Sequence, residues 1–213
     1  MASQEQNVVQ EDEPAASDIP LDDPAAIPPD EGDVGETPEP GGSPEPDEQL
    51  EETERAAITP AQRAQERSAA VQAAVVALRH RSAVHYTQGP RRWDGIKRGL
   101  LGSKGQYPNY ADCSSFATWC LWNGMRLHHR PDTVNGQHWA AGYTGTQIRQ
   151  GTRVTSEKNI LPGDLAFYGS GGHVSHVAIC IGGGQVISHG SEAGPFKLRL
   201  HYRKGLMQIR RYL

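Results

Sequence analysis

The spacing of hydrophobic positions changes near residue 160 of this chain. Before that point, apolar side chains recur at helical spacing in two stretches, which predicts helices over about 60–80 and about 112–122. After it, apolar and polar residues alternate between glycine-rich turns, as in short strands. Helices followed by an antiparallel sheet predict an α+β fold.

Both predicted helices have recognisable start signals. Thr59 is followed by proline and then by Gln62 three residues on, which forms a capping-box pattern. Asp112 is a good N-cap for the second helix, and Asn123-Gly124 is a plausible left-handed stop. The segments 85–93, 102–110 and 126–158 are predicted as loops with short helical turns. Strands are predicted at 165–168, 174–181, 185–189, 197–202 and 206–212, with a glycine hairpin turn at 182–184.

Charge divides the chain into two unlike parts. Residues 1–54 hold 18 acidic residues, no basic residue, 9 prolines and no aromatic residue. Such a segment cannot bury enough apolar surface to offset its ordering entropy, so 1–54 is predicted to be a disordered acidic arm. A covering helix is expected in 55–82 and a compact domain in 83–213. The arm could also fold back and screen the basic domain.

Residues 55–213 carry 21 basic and 7 acidic residues, a formal charge of +14. A surface of this sign attracts nucleic acid, an anionic membrane or an acidic polymer such as a bacterial cell wall. The charge alone does not distinguish among these three partners. No stretch is apolar enough to span a membrane, and no secretory signal is recognisable. The three cysteines have no disulfide-framework spacing, so a reduced protein with a free thiol is expected. No cofactor or metal site is expected.

Cys113 is the candidate nucleophile. It follows the predicted N-cap Asp112 and therefore lies at a helix N-terminus, where the helix dipole and unpaired amides favour a thiolate. A small buried cysteine is the ordinary alternative. Cys120 lies two turns further along the same stripe and is expected to pack in the core.

Two strand histidines are candidates to assist the thiol. His176 and His189 flank the glycine hairpin, and whether they meet depends on its register. A two-residue turn at Gly182-Gly183 would pair them directly, whereas a three-residue turn would place them on opposite faces. In the first case His176 is the base and His189 orients it by a hydrogen bond.

Several motifs appear in the order and rough spacing of a known family. They are Asp112-Cys113-Ser114-Ser115-Phe116, Leu161-Pro162-Gly163-Asp164-Leu165, Ser175-His176-Val177-Ala178-Ile179, Ile181-Gly182 and Ile187-Ser188-His189. Together they resemble the NlpC family of papain-like cysteine peptidases over about residues 83–190. The resemblance implies a papain-like fold with Cys113 as nucleophile, His176 as base and His189 as orienting residue. His189 comes one residue later than is usual, where Ser188 lies.

The resemblance also implies a substrate-binding set. Tyr86 is the best match to a tyrosine that lines the family's site, with Tyr110 as competitor. Ser114 matches a position that often contacts substrate, and Asp112 is grouped with it. The backbone N–H of Cys113 is expected to meet the oxyanion.

By this resemblance the expected function is hydrolysis of amide bonds in peptidoglycan stem peptides, with the γ-D-glutamyl-diamino acid bond favoured. A papain-like amidase or acyl transferase is an alternative, and a non-catalytic wall-binding module is another. The expected partner is peptidoglycan rather than nucleic acid, and the chain is expected to be a monomer. A phage lytic enzyme released by other means, or a component of a virion or secreted complex, would fit the lack of a recognisable signal.

Overall fold

The computed structural model of this protein describes residues 19–23, 58–136 and 138–213. The predicted disorder of 1–54 therefore concerns residues outside the described part, apart from Ile19–Asp23. Those five residues are ordered against the domain, because Ile19 packs on the core and Asp22 hydrogen-bonds to it. In this short segment the arm contacts the domain, whereas the sequence predicts disorder throughout 1–54.

The predicted first helix is confirmed as α1, Pro60–Arg79. Its capping box is formed, since the Gln62 amide donates to Thr59 Oγ1 at 3.2 Å and the Thr59 amide donates to Gln62 Oε1 at 2.9 Å. The other helices are α2 (Asp94–Lys97), α3 (Cys113–Met125) and α4 (Thr144–Gln147). Short 3-10 segments lie at Arg81–Ala83, Pro90–Trp93, Gly102–Lys104, Arg126–His128 and Glu157–Asn159.

The predicted stop of the second helix at Asn123-Gly124 is wrong. Helix α3 continues to Met125, and the chain leaves helical geometry at His129, whose φ is 53°. Gly124 is instead a point of close approach between α3 and α1, where an added Cβ would lie 2.3 Å from the carbonyl oxygen of Glu66. Asn123 is also used in packing, because its side chain accepts from the Gly102 amide and donates to the Trp119 carbonyl.

Three short strands lie in regions that the sequence predicted as loops, and the first two pair with each other. Strand β1 (His85–Tyr86) pairs in parallel with β2 (Tyr110–Ala111), so that Tyr86 lies beside Ala111. Their hydrogen bonds join segments 25 residues apart in the chain. Local turn residues hide this pairing, because each strand is only two residues long.

The predicted antiparallel sheet is confirmed, with six strands. In chain order they are β3 (Thr152–Arg153), β4 (Leu165–Ser170), β5 (His173–Gly182), β6 (Gln185–His189), β7 (Pro195–Arg199) and β8 (Leu206–Arg211). Their order in the sheet is β3-β8-β4-β5-β6-β7. The short β3 and β7 are therefore the two edges.

The alternation of side chains along the strands separates two buried clusters. Helices α1 and α3 cover one face, where Val177, Ile179 and Ile187 join the main core. The other face carries a smaller cluster that includes Ala178, Cys180 and neighbours from β4, β7 and β8. This arrangement of helices on one face confirms the α+β prediction. Among the described residues, no helix is both long and apolar enough to cross a bilayer.

The close approach at Gly124 gives a stability test. Gly124→Ala should lower the free energy of unfolding, because the new methyl group meets a backbone oxygen that cannot rotate away. Overpacking costs about 1–3 kcal/mol, which exceeds the roughly 1 kcal/mol that alanine gains in a helix. Chemical denaturation should show a lower midpoint.

Gly89→Ala is the matched control for this test. Its added Cβ would lie 3.5 Å from the nearest side-chain atom, and its φ is −73°, so no destabilisation is expected. Equal stability of the Gly124→Ala protein and the wild type would contradict the proposed close contact.

Candidate active site

The start of α3 is held by a fully buried carboxylate. Asp112 is the N-cap, as predicted, and its Oδ1 accepts from the Ser115 amide at 2.6 Å and from Ser114 Oγ at 3.0 Å. Ser115 Oγ in turn accepts from the Asp112 amide at 2.9 Å. Cys113, which is 1% exposed, is thereby fixed as the first residue of the helix.

A buried arginine completes this cap. Arg92 Nη1 donates to Asp112 Oδ2 at 2.8 Å, and its Nη2 donates to the Gly142 carbonyl at 3.1 Å. The side chains are 2% and 0% exposed, so the ion pair is screened from water. No sequence pattern predicts the role of Arg92, because nothing local marks a charged side chain as buried.

Two of the expected substrate-binding side chains are already engaged. Both oxygens of Asp112 have partners, and Ser114 Oγ donates to Asp112 with no exposed surface. These side chains therefore position the helix start, and their expected contact with substrate is not supported. Tyr86 lies on β1 beside the residues that lead into the helix, and its hydroxyl accepts from Gln88 Nε2 at 3.3 Å.

The register of the β5–β6 hairpin decides which residue meets His176. Ala178 pairs with Ser188 and Cys180 with Val186, and an irregularity follows between Cys180 and Gly182. His176 and Ser188 consequently share a face. His176 Nε2 lies 2.7 Å from Ser188 Oγ, and the histidine is 1% exposed.

The polar chain continues beyond Ser188. Its Oγ lies 3.1 Å from the hydroxyl oxygen of Tyr202, in the turn after β7. The ring of Tyr168 flanks both ends of this chain, 6.0 Å from the His176 ring and 5.5 Å from the Tyr202 ring. The Tyr168 hydroxyl donates to the Leu200 carbonyl at 2.8 Å, and burial raises its pKa. In the sequence, Ser188 stands out only as the position where the family's third residue usually lies, and no pattern marks Tyr202.

The prediction that His189 orients His176 by a hydrogen bond is wrong. Neither ring nitrogen of His189 has a hydrogen-bond partner among the described residues. His189 lies on the opposite face of β6 from Ser188. Gly182 pairs with Gln185 around a two-residue turn, and the irregularity between Cys180 and Gly182 shifts the register by one residue. Its ring packs edge-on against Tyr86 and Phe116, with centroid distances of 5.5 and 5.8 Å.

His189 nevertheless lies close to the start of α3. Phe116 belongs to the first turn of that helix, and the charge of Asp112 also acts on the imidazole. Burial is the largest influence and lowers the pKa of His189, while nearby backbone groups of Gly194 and His85 oppose the change. The structure therefore brings Tyr86 and His189 together near the start of the helix that carries Cys113.

The loop between β6 and β7 is clamped to β1 by Glu192. One carboxylate oxygen lies 2.6 Å from His85 Nδ1, and the other accepts from the Tyr86 amide at 2.9 Å. The hydrogen bond with the His85 side chain is the main reason that the pKa of Glu192 is lowered. The clamp holds the backbone of Tyr86 next to His189.

The other two cysteines belong to packing. Cys120 is fully buried in the core beneath α3, and burial raises its pKa. Cys180 lies in the smaller cluster on the far face, and its pKa is raised for the same reason. In the part of the chain that the structure describes, no group of three or more His, Cys, Asp or Glu side chains is arranged to hold a metal.

The burial of His189 predicts a pH-dependent stability. Its pKa is lowered in the folded protein, so the unfolded chain takes up this proton first as pH falls below about 6.5. Stability contributed by the neutral imidazole is therefore complete above that pH and is lost on acidification. The slope cannot exceed about 1.4 kcal/mol per pH unit for one proton. Unfolding of wild type and His189→Phe should be compared between pH 5 and 7.

The phenylalanine variant should lose less stability across this range. His173→Phe, at an exposed position, is the control and should keep the wild-type slope.

The clamp carboxylate of Glu192 acts in a lower pH window, because its stabilising effect is lost as pH falls through its own lowered pKa. Identical slopes for His189→Phe and wild type would refute the assignment.

The chain is similar to several known proteins. Probable endopeptidase p60 of Listeria grayi is 35% identical over 86 residues, which cover 40% of this chain and 14% of that protein. The peptidoglycan hydrolase RipB of Mycobacterium tuberculosis is 21% identical with a TM-score of 0.49, over 72% of this chain and 68% of that one. NlpC1 of Trichomonas vaginalis is 21% identical with a TM-score of 0.45, over 67% and 44% of the two chains.

The chain thus spans about one seventh of the length of the curated relative. The profile of the NlpC/P60 family matches residues 93–208, more than half of the sequence. That range contains the capped cysteine, the β5–β6 hairpin and the chain from His176 to Tyr202. The chain belongs to the NlpC/P60 family.

Proposed function

We propose that this protein is a cysteine endopeptidase that hydrolyses amide bonds in bacterial peptidoglycan stem peptides, with the γ-D-glutamyl-diamino acid bond favoured. Membership of the NlpC/P60 family supports the reaction class. The observation that carries the proposal is the buried His176, held by Ser188 on a sheet against which the cysteine-bearing helix packs. The formal charge of +14 on residues 55–213 suits an anionic wall.

Cys113 is the proposed nucleophile and His176 the proposed base. The imidazole takes the thiol proton, and the thiolate attacks the amide carbonyl carbon. When the C–N bond breaks, the imidazolium of His176 gives its proton to the leaving amine, which leaves a thioester on Cys113. A water that gives a proton to His176 then attacks the thioester, and the acid product leaves as the thiol is restored. The backbone N–H of Cys113, in the first helical turn, is the proposed oxyanion donor.

Ser188 takes the orienting role that sequence analysis assigned to His189. In this proposal His176 Nε2–H donates to Ser188 Oγ, and the Ser188 hydroxyl donates to Tyr202. The Nδ1 lone pair of His176 then accepts the proton of the thiol. In such sites the third residue serves to fix the tautomer of the histidine. The ring of His189 packs against Tyr86 and forms part of the wall of the site. Tyr86 is the remaining candidate for contact with the substrate.

The first test is fragment release from purified cell wall. Cys113→Ala and His176→Ala should each lower the rate at least about 1,000-fold, because nucleophile and base act as a unit. Cys120→Ala is the matched control, a buried cysteine two turns away, and should retain activity after allowance for lost packing. Full activity of the Cys113→Ala protein would exclude the mechanism.

Fragment masses from several peptidoglycan types test the bond. Endopeptidase action releases stem-peptide pieces with a new amine on the diamino acid, whereas an amidase frees the whole stem from the sugar. An acyl transferase would give products heavier by the acceptor. Binding to the wall without any new terminus would indicate a non-catalytic module.

Kinetics of Ser188 variants test the orienting role. Ser188→Ala should lower kcat/KM about tenfold, since one hydrogen bond to a charged imidazolium is lost. Without an acceptor for Nε2–H, the imidazolium is less stable, so the alkaline limb of the pH–rate profile should move to lower pH. Tyr202→Phe should lower kcat/KM and move the alkaline limb to lower pH as well, and both changes should be smaller than in Ser188→Ala.

Ser191→Ala is the matched control. Ser191 is a buried serine of the next loop whose Oγ has no hydrogen-bond partner among the described residues, so neither readout should change. Ser188→Asn restores an acceptor and should recover part of the activity. A Ser188→Ala enzyme with the wild-type pH profile would rule out the orientation of His176 by this hydroxyl.

A further inference from the structure

Strand β7 forms one edge of the main sheet, and its outer side is largely covered. It pairs with β6 on its inner side, where Ser188 lies opposite Phe196 and Val186 opposite Leu198. Because hydrogen-bonding direction alternates along a strand, the backbone groups of Pro195, Lys197 and Arg199 face outward. An open edge of this kind is a template for another strand.

One residue of the N-terminal arm satisfies both outward groups of Lys197. The Asp22 amide donates to the Lys197 carbonyl at 2.8 Å, and the Lys197 amide donates to Asp22 Oδ2 at 2.8 Å. The other carboxylate oxygen of Asp22 accepts from Arg81 Nη1 at 2.6 Å. A single acidic side chain thus bridges the strand edge and the cation that follows α1.

The same segment covers the side chain of Lys197. This lysine is 1% exposed and lies on the face of Ile187, towards the main core. Its Nζ donates to the Ile19 carbonyl, and the Ile19 side chain packs on the core cluster. A buried ammonium needs hydrogen-bond acceptors, and the arm supplies one of them.

The remaining outward positions of β7 are poor templates. Pro195 has no backbone N–H, which blocks pairing at the first residue of the strand. The Arg199 carbonyl accepts from the Tyr202 amide at 3.0 Å, within the turn that closes the strand. Lys197 is therefore the position at which an added strand would gain both a donor and an acceptor, and Asp22 occupies it.

We propose that Ile19–Asp23 is an intrachain docking segment that caps the β7 edge, with Asp22 as the residue that holds it. The arm is thereby fastened to the catalytic domain at a point distant in sequence from α1. The cap keeps the outer edge of β7 from pairing with a second copy of the chain. This inference does not depend on the proposed function, because it concerns a contact and not a reaction.

Amide hydrogen exchange in the full chain tests the contact, with no substrate present. In Asp22→Ala the Lys197 amide should exchange at least about tenfold faster than in wild type, since its charged acceptor is gone. Asp22→Asn keeps an acceptor but loses the charge, so it should give a smaller increase and guards against misfolding of the alanine variant. Arg81→Gln should also accelerate exchange of the Lys197 amide. In the double variant with Asp22→Asn, the acceleration should be smaller than the two single effects combined, because both changes act on the same contact.

Asp30→Ala is the control, because it removes the same charge from the same acidic arm, and it should leave Lys197 exchange unchanged. A dilution series separates docking within one chain from docking between two, because only the second loses protection on dilution. Protection that is independent of concentration and lost in Asp22→Ala supports the proposal. Unchanged Lys197 exchange in Asp22→Ala, or protection that disappears on dilution of the wild type, would overturn it.

Discussion

The buried ion pair between Arg92 and Asp112 is the interaction on which the site depends. Asp112 places a negative charge at the N-terminus of α3, where helix amides and the dipole favour it, and Arg92 balances that charge away from water. Removing one partner of such a pair leaves an uncompensated buried charge and costs about 3–5 kcal/mol. The position of Cys113 is therefore tied to Arg92, which lies 21 positions earlier in the 3-10 segment Pro90–Trp93.

The second constraint is the register of one hairpin. Because side chains alternate along a strand, a shift of one residue exchanges the residues that face the two clusters. The observed pairing of Ala178 with Ser188 gives His176 a hydroxyl partner and sends His189 into an aromatic pocket. A site with a serine and a tyrosine behind the histidine results, in place of a pair of histidines.

Strand edges and loops then fasten these parts to one another. Glu192 joins the β6–β7 loop to β1, and Asp22 covers the outer side of β7. Both use a carboxylate to accept from a backbone amide that the sheet leaves unpaired. Strand β6, which pairs with β7 and leads into the Glu192 loop, carries both Ser188 and His189, so these contacts and the geometry of the site are coupled.

The sequence by itself determined the α+β class, the first helix with its capping box, the cap at Asp112 and the family motifs. These features depend on local periodicity, on capping residues and on the order of residues, all of which can be read directly from the sequence. It could not determine the β1–β2 pairing, the burial of Arg92 or the role of Gly124. Those depend on segments that meet only in the folded protein.

The choice between Ser188 and His189 was likewise left to the tertiary structure. Three consecutive glycines allow hairpins of different length, and no local energy difference in the sequence selects one. The core makes the selection, because Ile179 and Ile187 must both join the main cluster beneath the helices, while the polar side chains of His176 and Ser188 meet each other.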